Sequence, residues 1–260
     1  MAILVVIILL AVFADLLPLQ NPLEQDALTR LQSPGDEHLM GTDNFGRDVF
    51  SRIVYGARSS LYIAVTSVAL GTLLGALIGT ASAYRGGWTD QVLQRATDTL
   101  LGFPILVLAI IVVVAFGPSV HTVMAAITIG VTPQMVRLAR SRTLSVKEEA
   151  FVTTARAVGV SSSRIIFKHV IPHTASPILA YATGYVGMAL IVESAFHFLG
   201  LGVPPPHPSW GGILQEGRAY LETAPWLAIF PGIVLSATVF SFVMVGDALR
   251  DLLDPRERWK

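Results

Sequence analysis

The sequence predicts an all-α, polytopic membrane protein with six transmembrane helices and a helical hairpin on a basic loop. Three observations carry that prediction: 53% hydrophobic against 14% charged residues over 260 positions, six long apolar stretches nearly free of charge, and an uneven distribution of Lys and Arg between them. Such a composition leaves too little polar surface for a water-soluble fold of this length. A mean hydropathy of +0.62 points to lipid as the main solvent.

A bilayer core about 30 Å thick is crossed by roughly 20 apolar residues as a helix. Stretches of that kind run from Met1 to Leu17, Tyr62 to Tyr84, Leu100 to Phe116, Val120 to Val136, Ile178 to Leu201 and Trp226 to Val245. Lipid offers the backbone no hydrogen-bond partner, and the ten-residue alternation of a membrane barrel is missing, so helices are the economical reading. The first stretch is short and contains Asp15. It reads as a membrane anchor; the competing reading, a signal peptide, calls for early basic residues, yet the first is Arg30. The expected organisation is a first transmembrane helix over 1–17, an external loop over 18–61 and a five-helix core over 62–250. Within that core lie a cytoplasmic loop at 137–177 and an external loop at 202–225, and a cytoplasmic tail follows over 251–260.

Orientation follows from the basic residues. With a cytoplasmic N-terminus, thirteen Lys and Arg fall on the inner side, among them Arg137, Arg140, Arg142, Lys147, Arg156, Arg164 and Lys168 in a single loop. Five fall outside: Arg30, Arg47, Arg52, Arg58 and Arg218. The positive-inside rule then places both termini and the 137–177 loop in the cytoplasm.

Several function classes are excluded or left without support. The 18 basic residues are balanced by 18 acidic ones, which is not the basic excess of a nucleic-acid binder. With no cysteine, disulfides, thiolate metal sites and a cysteine nucleophile are ruled out. His38, His121, His197 and His207 all fall on the expected outer side, but none has the spacing of a ligand pair, so no metal site is read. Neither H-E-x-x-H nor G-x-S-x-G occurs, and a membrane enzyme is the weaker competing class. The three lysines, Lys147, Lys168 and Lys260, follow Val146, Phe167 and Trp259, so no Walker A glycine-lysine pair exists. No catalytic or cofactor residue is assigned to this chain, and any ATP chemistry must come from another polypeptide.

Three local features stand out. Ser67, Gly71, Gly75, Gly79 and Ala83 line one helical face with small side chains, which allows close approach of another helix, either within the chain or across a subunit interface. Glu193 lies in the fifth apolar stretch, where a carboxylate costs roughly 2.5 to 3.5 kcal/mol at mid-bilayer and must face protein or water. It is a functional candidate by default, or an anchor for the loop that follows. Finally, Lys147 to Val158 reads as a short helix, Gly159 as a turn, Ser161 and Ser162 as N-caps of a second helix through His169, and Pro172 as its stop. On these features alone the hairpin is a surface-lying one.

The residues of that hairpin resemble a known family. The segments FVTTARAVG from Phe151 to Gly159 and RIIFKHVIP from Arg164 to Pro172 are similar to the EAA loop of binding-protein-dependent ABC permeases. Gly41 to Asp48 with Tyr55 to Leu61, and Glu193 to Gly202 with Pro208 to Gly211, resemble the branch importing dipeptides, oligopeptides and nickel. The resemblance covers roughly residues 38 to 255. It departs at Thr153, where the family has its glutamate, at Thr154, where it has its first alanine, and at His197, where the branch often has serine.

That resemblance implies a permease subunit of an ATP-driven importer, forming half of the path for peptides across the inner membrane. Implied partners are a sister permease in a heterodimer, two cytoplasmic ATP-binding subunits holding ATP and Mg, an external solute-binding protein and membrane lipid. It implies ATPase coupling through Ala150, Phe151, Thr153, Thr154, Ala155, Arg156, Ala157, Gly159 and Pro172. Because Thr153 replaces the glutamate, affinity is expected from the apolar and small residues, with Arg156 adding a polar contact. Glu193, Asp43, Arg47 and Asp48 are the candidates for the translocation path or external mouth; the alternative for the last three is a hydrated loop of little consequence. Nickel or another small solute is the alternative cargo. A nucleotide-independent channel or secondary transporter is the alternative class, against which stands the lack of a clear internal repeat.

Overall fold

The computed structural model describes residues 2–204 and 206–253. Met1 of the first expected span, and residues 254–260 of the expected tail with Arg256, Arg258 and Lys260, lie outside the described residues. Among the described residues ten α-helices carry the fold: α1 (Ala2–Val12), α2 (Val49–Arg85), α3 (Gly87–Leu101), α4 (Ile105–Phe116), α5 (Val120–Lys147), α6 (Ala150–Ala157), α7 (Ser162–Ile165), α8 (Ile171–Phe198), α9 (Trp210–Gly217) and α10 (Trp226–Leu253). The one isolated β-bridge among the described residues joins Thr42 to Asp48.

The helix ends follow local chemistry. Asp48, Ser119 and Ser209 each accept a hydrogen bond from a backbone N–H in the first turn of α2, α5 and α9, which satisfies donors that a helix start leaves free. Gly200, at φ +75°, closes α8: its N–H bonds the His197 carbonyl while Leu201 N–H bonds that of Phe196.

The all-α membrane architecture holds, while the count of six spans is not reproduced among the described residues. Among the described residues four helices are long and apolar enough to cross a bilayer: α2, α5, the run Ser162–Phe198, and α10. A fifth span exists only if α3 and α4, bent by 89° at their junction, are taken together. The expected third span, Leu100 to Phe116, is interrupted at Gly102–Pro104, where Pro104 supplies no N–H. The expected first span is an 11-residue helix, too short to cross a bilayer core alone. α2 begins at Val49, inside the stretch expected to be loop, because the Asp48 cap starts the helix thirteen residues ahead of the apolar run at Tyr62.

The stripe of small residues on α2 packs against α5 of the same chain. A Cβ on Gly71 would lie 3.1 Å from the Val131 side chain, and one on Gly75 2.9 Å from the Thr132 carbonyl oxygen. The two helices therefore touch backbone to backbone, the contact that glycine permits. α8 and α10 complete the bundle, again in close contact where Gly246 meets Gly184. At the end away from the hairpin the core contains the fully buried Trp210, Phe196, Ile213 and Leu227.

Pro172 does not stop a helix. It sits at the start of α8, and the chain stays helical from Ser162 to Phe198 through a π-helical turn at Ile166–Val170. A proline cannot donate to the carbonyl four residues back, and its ring crowds that carbonyl. The wider turn accommodates this: Ile171 N–H reaches five residues back to the Ile166 carbonyl. The first arm of the hairpin is also shorter than expected, since α5 ends at Lys147 and α6 starts only at Ala150. Ser161 occupies the N-cap position of α7 without a capping hydrogen bond from its side chain.

Candidate functional site

The hairpin is anchored by a small apolar cluster. Val152, Ile165 and Val170 are fully buried, with Tyr84, Val146, Ala155 and Val160 packed around them. Val152 thus fixes which face of α6 turns inward. The opposite face carries Ala150, Phe151, Thr153, Thr154, Arg156 and Ala157, all exposed. Ala155 is half-buried against the cluster. The Thr153 hydroxyl donates to the Ala150 carbonyl of its own helix at 2.9 Å. Arg156 lies over the Tyr84 ring at 5.5 Å, so its guanidinium is tied to the end of α2. The Phe151 ring stacks on His173, centroids 4.7 Å apart, joining α6 to the first turn of α8.

Gly159 supplies the turn. Its φ is +81°; its N–H bonds the Arg156 carbonyl and Val160 N–H bonds that of Ala155, which together satisfy the carbonyls at the end of α6. No heavy atom lies within 4 Å of the place a Cβ would take. Glycine is therefore required here by backbone conformation and not by crowding.

The opposite end of the bundle holds the other candidates, and they fall into three buried polar groups. Asp43, Arg47 and Asp48 are 2%, 6% and 6% exposed, unlike residues of a hydrated loop. Asp43 Oδ1 accepts from the Phe45 and Arg47 N–H groups at 2.8 and 3.0 Å, while Oδ2 accepts from Arg47 Nε at 2.6 Å and from Arg52 Nη1. Both arginines also reach Glu216 of α9, at 2.7 Å from Arg47 Nη2 and 3.0 Å from Arg52 Nη2. Two guanidinium groups and two carboxylates thus pin the 41–48 loop to α2 and α9. Asp48 stands apart from this knot, capping α2 through Ser51 N–H at 2.8 Å and pairing with His38 Nδ1 at 3.1 Å. Arg52 and Glu216 were not among the sequence candidates. Arg52 lies one turn beyond Asp48, but no local pattern links either arginine to a glutamate more than 160 residues away.

Glu193 is fully buried in protein. Its carboxylate accepts from Ser60 Oγ at 3.3 Å and Ser194 Oγ at 3.2 Å, and His197 Nδ1 lies 3.2 Å from Oε1. His197 Nε2 accepts from Val203 N–H at 3.0 Å, which leaves the ring proton on Nδ1, facing Glu193. Ser60 Oγ in turn accepts from Trp210 N–H at 3.3 Å. Glu193 therefore joins α2, α8 and the start of α9 at one point. The structure does not bring it together with Asp43, Arg47 or Asp48, which make their own contacts.

These features define a multi-pass helical membrane protein with a protruding hairpin at one end and a rigid, ion-paired cap at the other. The chain belongs to the binding-protein-dependent transport system inner membrane component family, whose model matches residues 71–259. It is 43% identical over 249 residues to the dipeptide transport system permease protein DppC of Alkalihalophilus pseudofirmus, covering 96% of this chain and 82% of that protein. It is 38% identical over 255 residues to the glutathione transport system permease protein GsiD of Escherichia coli, covering 97% and 84%. Among solved structures, the inward-facing MetNI methionine ABC transporter aligns over 79% of this chain and 97% of that chain with a TM-score of 0.64 at 16% identity, a likeness of fold.

Proposed function

We propose that this chain is one of two permease subunits of an ATP-driven importer for small peptides, and that the exposed face of α6 is where a cytoplasmic ATPase docks. The observation that carries the docking reading is the division of α6 into two faces. Val152 is locked into the hairpin cluster, while Ala150, Phe151, Thr154 and Ala157 are left open. The peptide cargo rests on the names of the relatives, which handle dipeptides and glutathione. The thirteen-to-five distribution of basic residues supports a cytoplasmic hairpin and cytoplasmic termini. ATP and Mg belong to the partner ATPases; a sister permease and an external solute-binding protein complete the assembly.

In this reading a displacement of α6 on ATP binding is passed across the Gly159 turn by the packing of Val152 on Ile165 and Val170. The helical run from Ser162 to Phe198 extends about 55 Å at 1.5 Å per residue and ends beside the Glu193 contacts. The path would then open alternately to the two sides by rigid tilting. The test is reconstitution of the chain with its partners in proteoliposomes. ATP-dependent uptake of a labelled dipeptide, lost together with the bound ATPase in Phe151→Glu, supports the reading. Uptake without nucleotide, or an unaltered Phe151→Glu complex, sinks it.

A further inference from the structure

α4 has 12 residues, about 18 Å of helix, and cannot cross a 30 Å core. Between it and α3 stand Gly102, Phe103 and Pro104, all exposed, where the helix axes turn by 89°. Phe103 N–H and Gly102 N–H fold back onto the carbonyls of Leu100, Thr99 and Asp98, and Pro104 has no N–H to offer. Hydrocarbon does not tolerate irregular backbone of this kind unless protein buries it or water lines it.

A cavity of about 180 Å³ lies beside this break, lined by Phe103, Ile105, Gly130, Gln134, Tyr185 and Met188 among others. Gly130 is required there, because a Cβ would come within 2.7 Å of Ile105 Cδ1. Gln134 and Tyr185 each lie 14 residues into their helices, about 21 Å from the start of α5 and of α8. Both are half-buried, and the Tyr185 ring meets that of Tyr181 at 5.0 Å. The groove between α2, α8 and α10 has the opposite character. Its volume is about 590 Å³ and its walls are almost wholly apolar, with Val65, Leu73, Leu179 and Phe242. The hydroxyls of Thr174 and Thr183 there donate to carbonyls of their own helix. α8 therefore separates a face suited to lipid from one that presents an amide and a phenol beside the irregular backbone of the break.

We infer that the α3–α4 break, with Gln134 and Tyr185, is this subunit's share of the water-filled solute path and contacts the amide groups of a peptide in transit. The Gln134 amide and the Tyr185 hydroxyl can each donate and accept, as a peptide backbone requires. Phe103 and Met188 add adaptable apolar surface that does not select one side chain. This inference rests on the importer reading and names the residues that would meet its cargo.

The absence of cysteine makes the test direct, since this chain takes a thiol label only at an introduced position. In the reconstituted transporter, Phe103→Cys and Gln134→Cys should react with a membrane-impermeant methanethiosulfonate about tenfold faster than Leu73→Cys, because the thiolate forms only where water reaches it. Saturating dipeptide should slow both toward the Leu73→Cys rate. Gln134→Leu should raise the apparent KM for dipeptide about three- to tenfold, the effect of one lost hydrogen bond. No labelling at either position in the nucleotide-free and ATP-bound states overturns the inference and means that the sister subunit covers the break. Labelling that peptide does not slow, in a preparation with verified peptide uptake, overturns the ligand contact. Labelling in a preparation that takes up no peptide supports the path and sinks the peptide reading instead.

Discussion

Replacing Gly159 by valine tests whether the hairpin transmits the work of ATP hydrolysis. The residue holds φ at +81°, a conformation costing a side-chain-bearing residue about 1–2 kcal/mol. The space around it is open, so the cost is conformational alone and no neighbour is displaced. A penalty of that size lowers the population of the correctly turned hairpin about five- to thirtyfold. The cluster of Val152, Ile165 and Val170 touches only the ends of α2 and α5, at Tyr84 and Val146, and the bundle should remain folded. Dipeptide uptake, measured in cells or proteoliposomes at equal membrane abundance, should fall by about the same factor. The ATPases should either dissociate or hydrolyse ATP without transport. Gly159→Asn should lose much less, since asparagine tolerates this conformation at a helix end. Normal uptake in Gly159→Val, or equal damage from asparagine and valine, refutes the reasoning.

Gly75→Val should be far more disruptive to folding, because even a Cβ would stand 2.9 Å from the Thr132 carbonyl on α5. The expected loss is about 1–3 kcal/mol or more, seen as a lower midpoint of thermal unfolding in detergent. Asp43→Asn removes one carboxylate that faces both Arg47 and Arg52 and should cost about 3–5 kcal/mol of stability by the same measurement. Combined neutralisation of Arg47 and Asp48 should sharply reduce uptake by cutting the loop's Arg47 tie to Glu216 of α9 and the Asp48 cap of α2, and undiminished transport would show that these ties are dispensable. A reporter fused near Pro22 should be external and one near Ser162 cytoplasmic, and an external signal from Ser162 would remove the ATPase from α6.

What the sequence determined by itself was local. Apolar length located the spanning helices α2, α5, α8 and α10, and Gly159 marked the turn, because each depends on a few neighbouring residues and on the hydrophobic period. The family was legible for the same reason, its motifs being short contiguous strings. Tertiary structure alone decided where those pieces go. Asp43, Arg47 and Arg52 find Glu216 across more than 160 residues, and no periodicity encodes a pairing at that distance. The stripe on α2 told that a helix would approach, but which helix followed from the shape of α5 around Val131 and Met135. Pro172 reads locally as a stop, and yet a π-helical turn carries the chain past it into α8, which packs against α2 and α10. The apolar run from Leu100 to Phe116 likewise looks continuous. Its 89° turn arises where Pro104 cannot donate, and whether that break faces protein or water depends on the neighbours that Gln134 and Tyr185 bring to it.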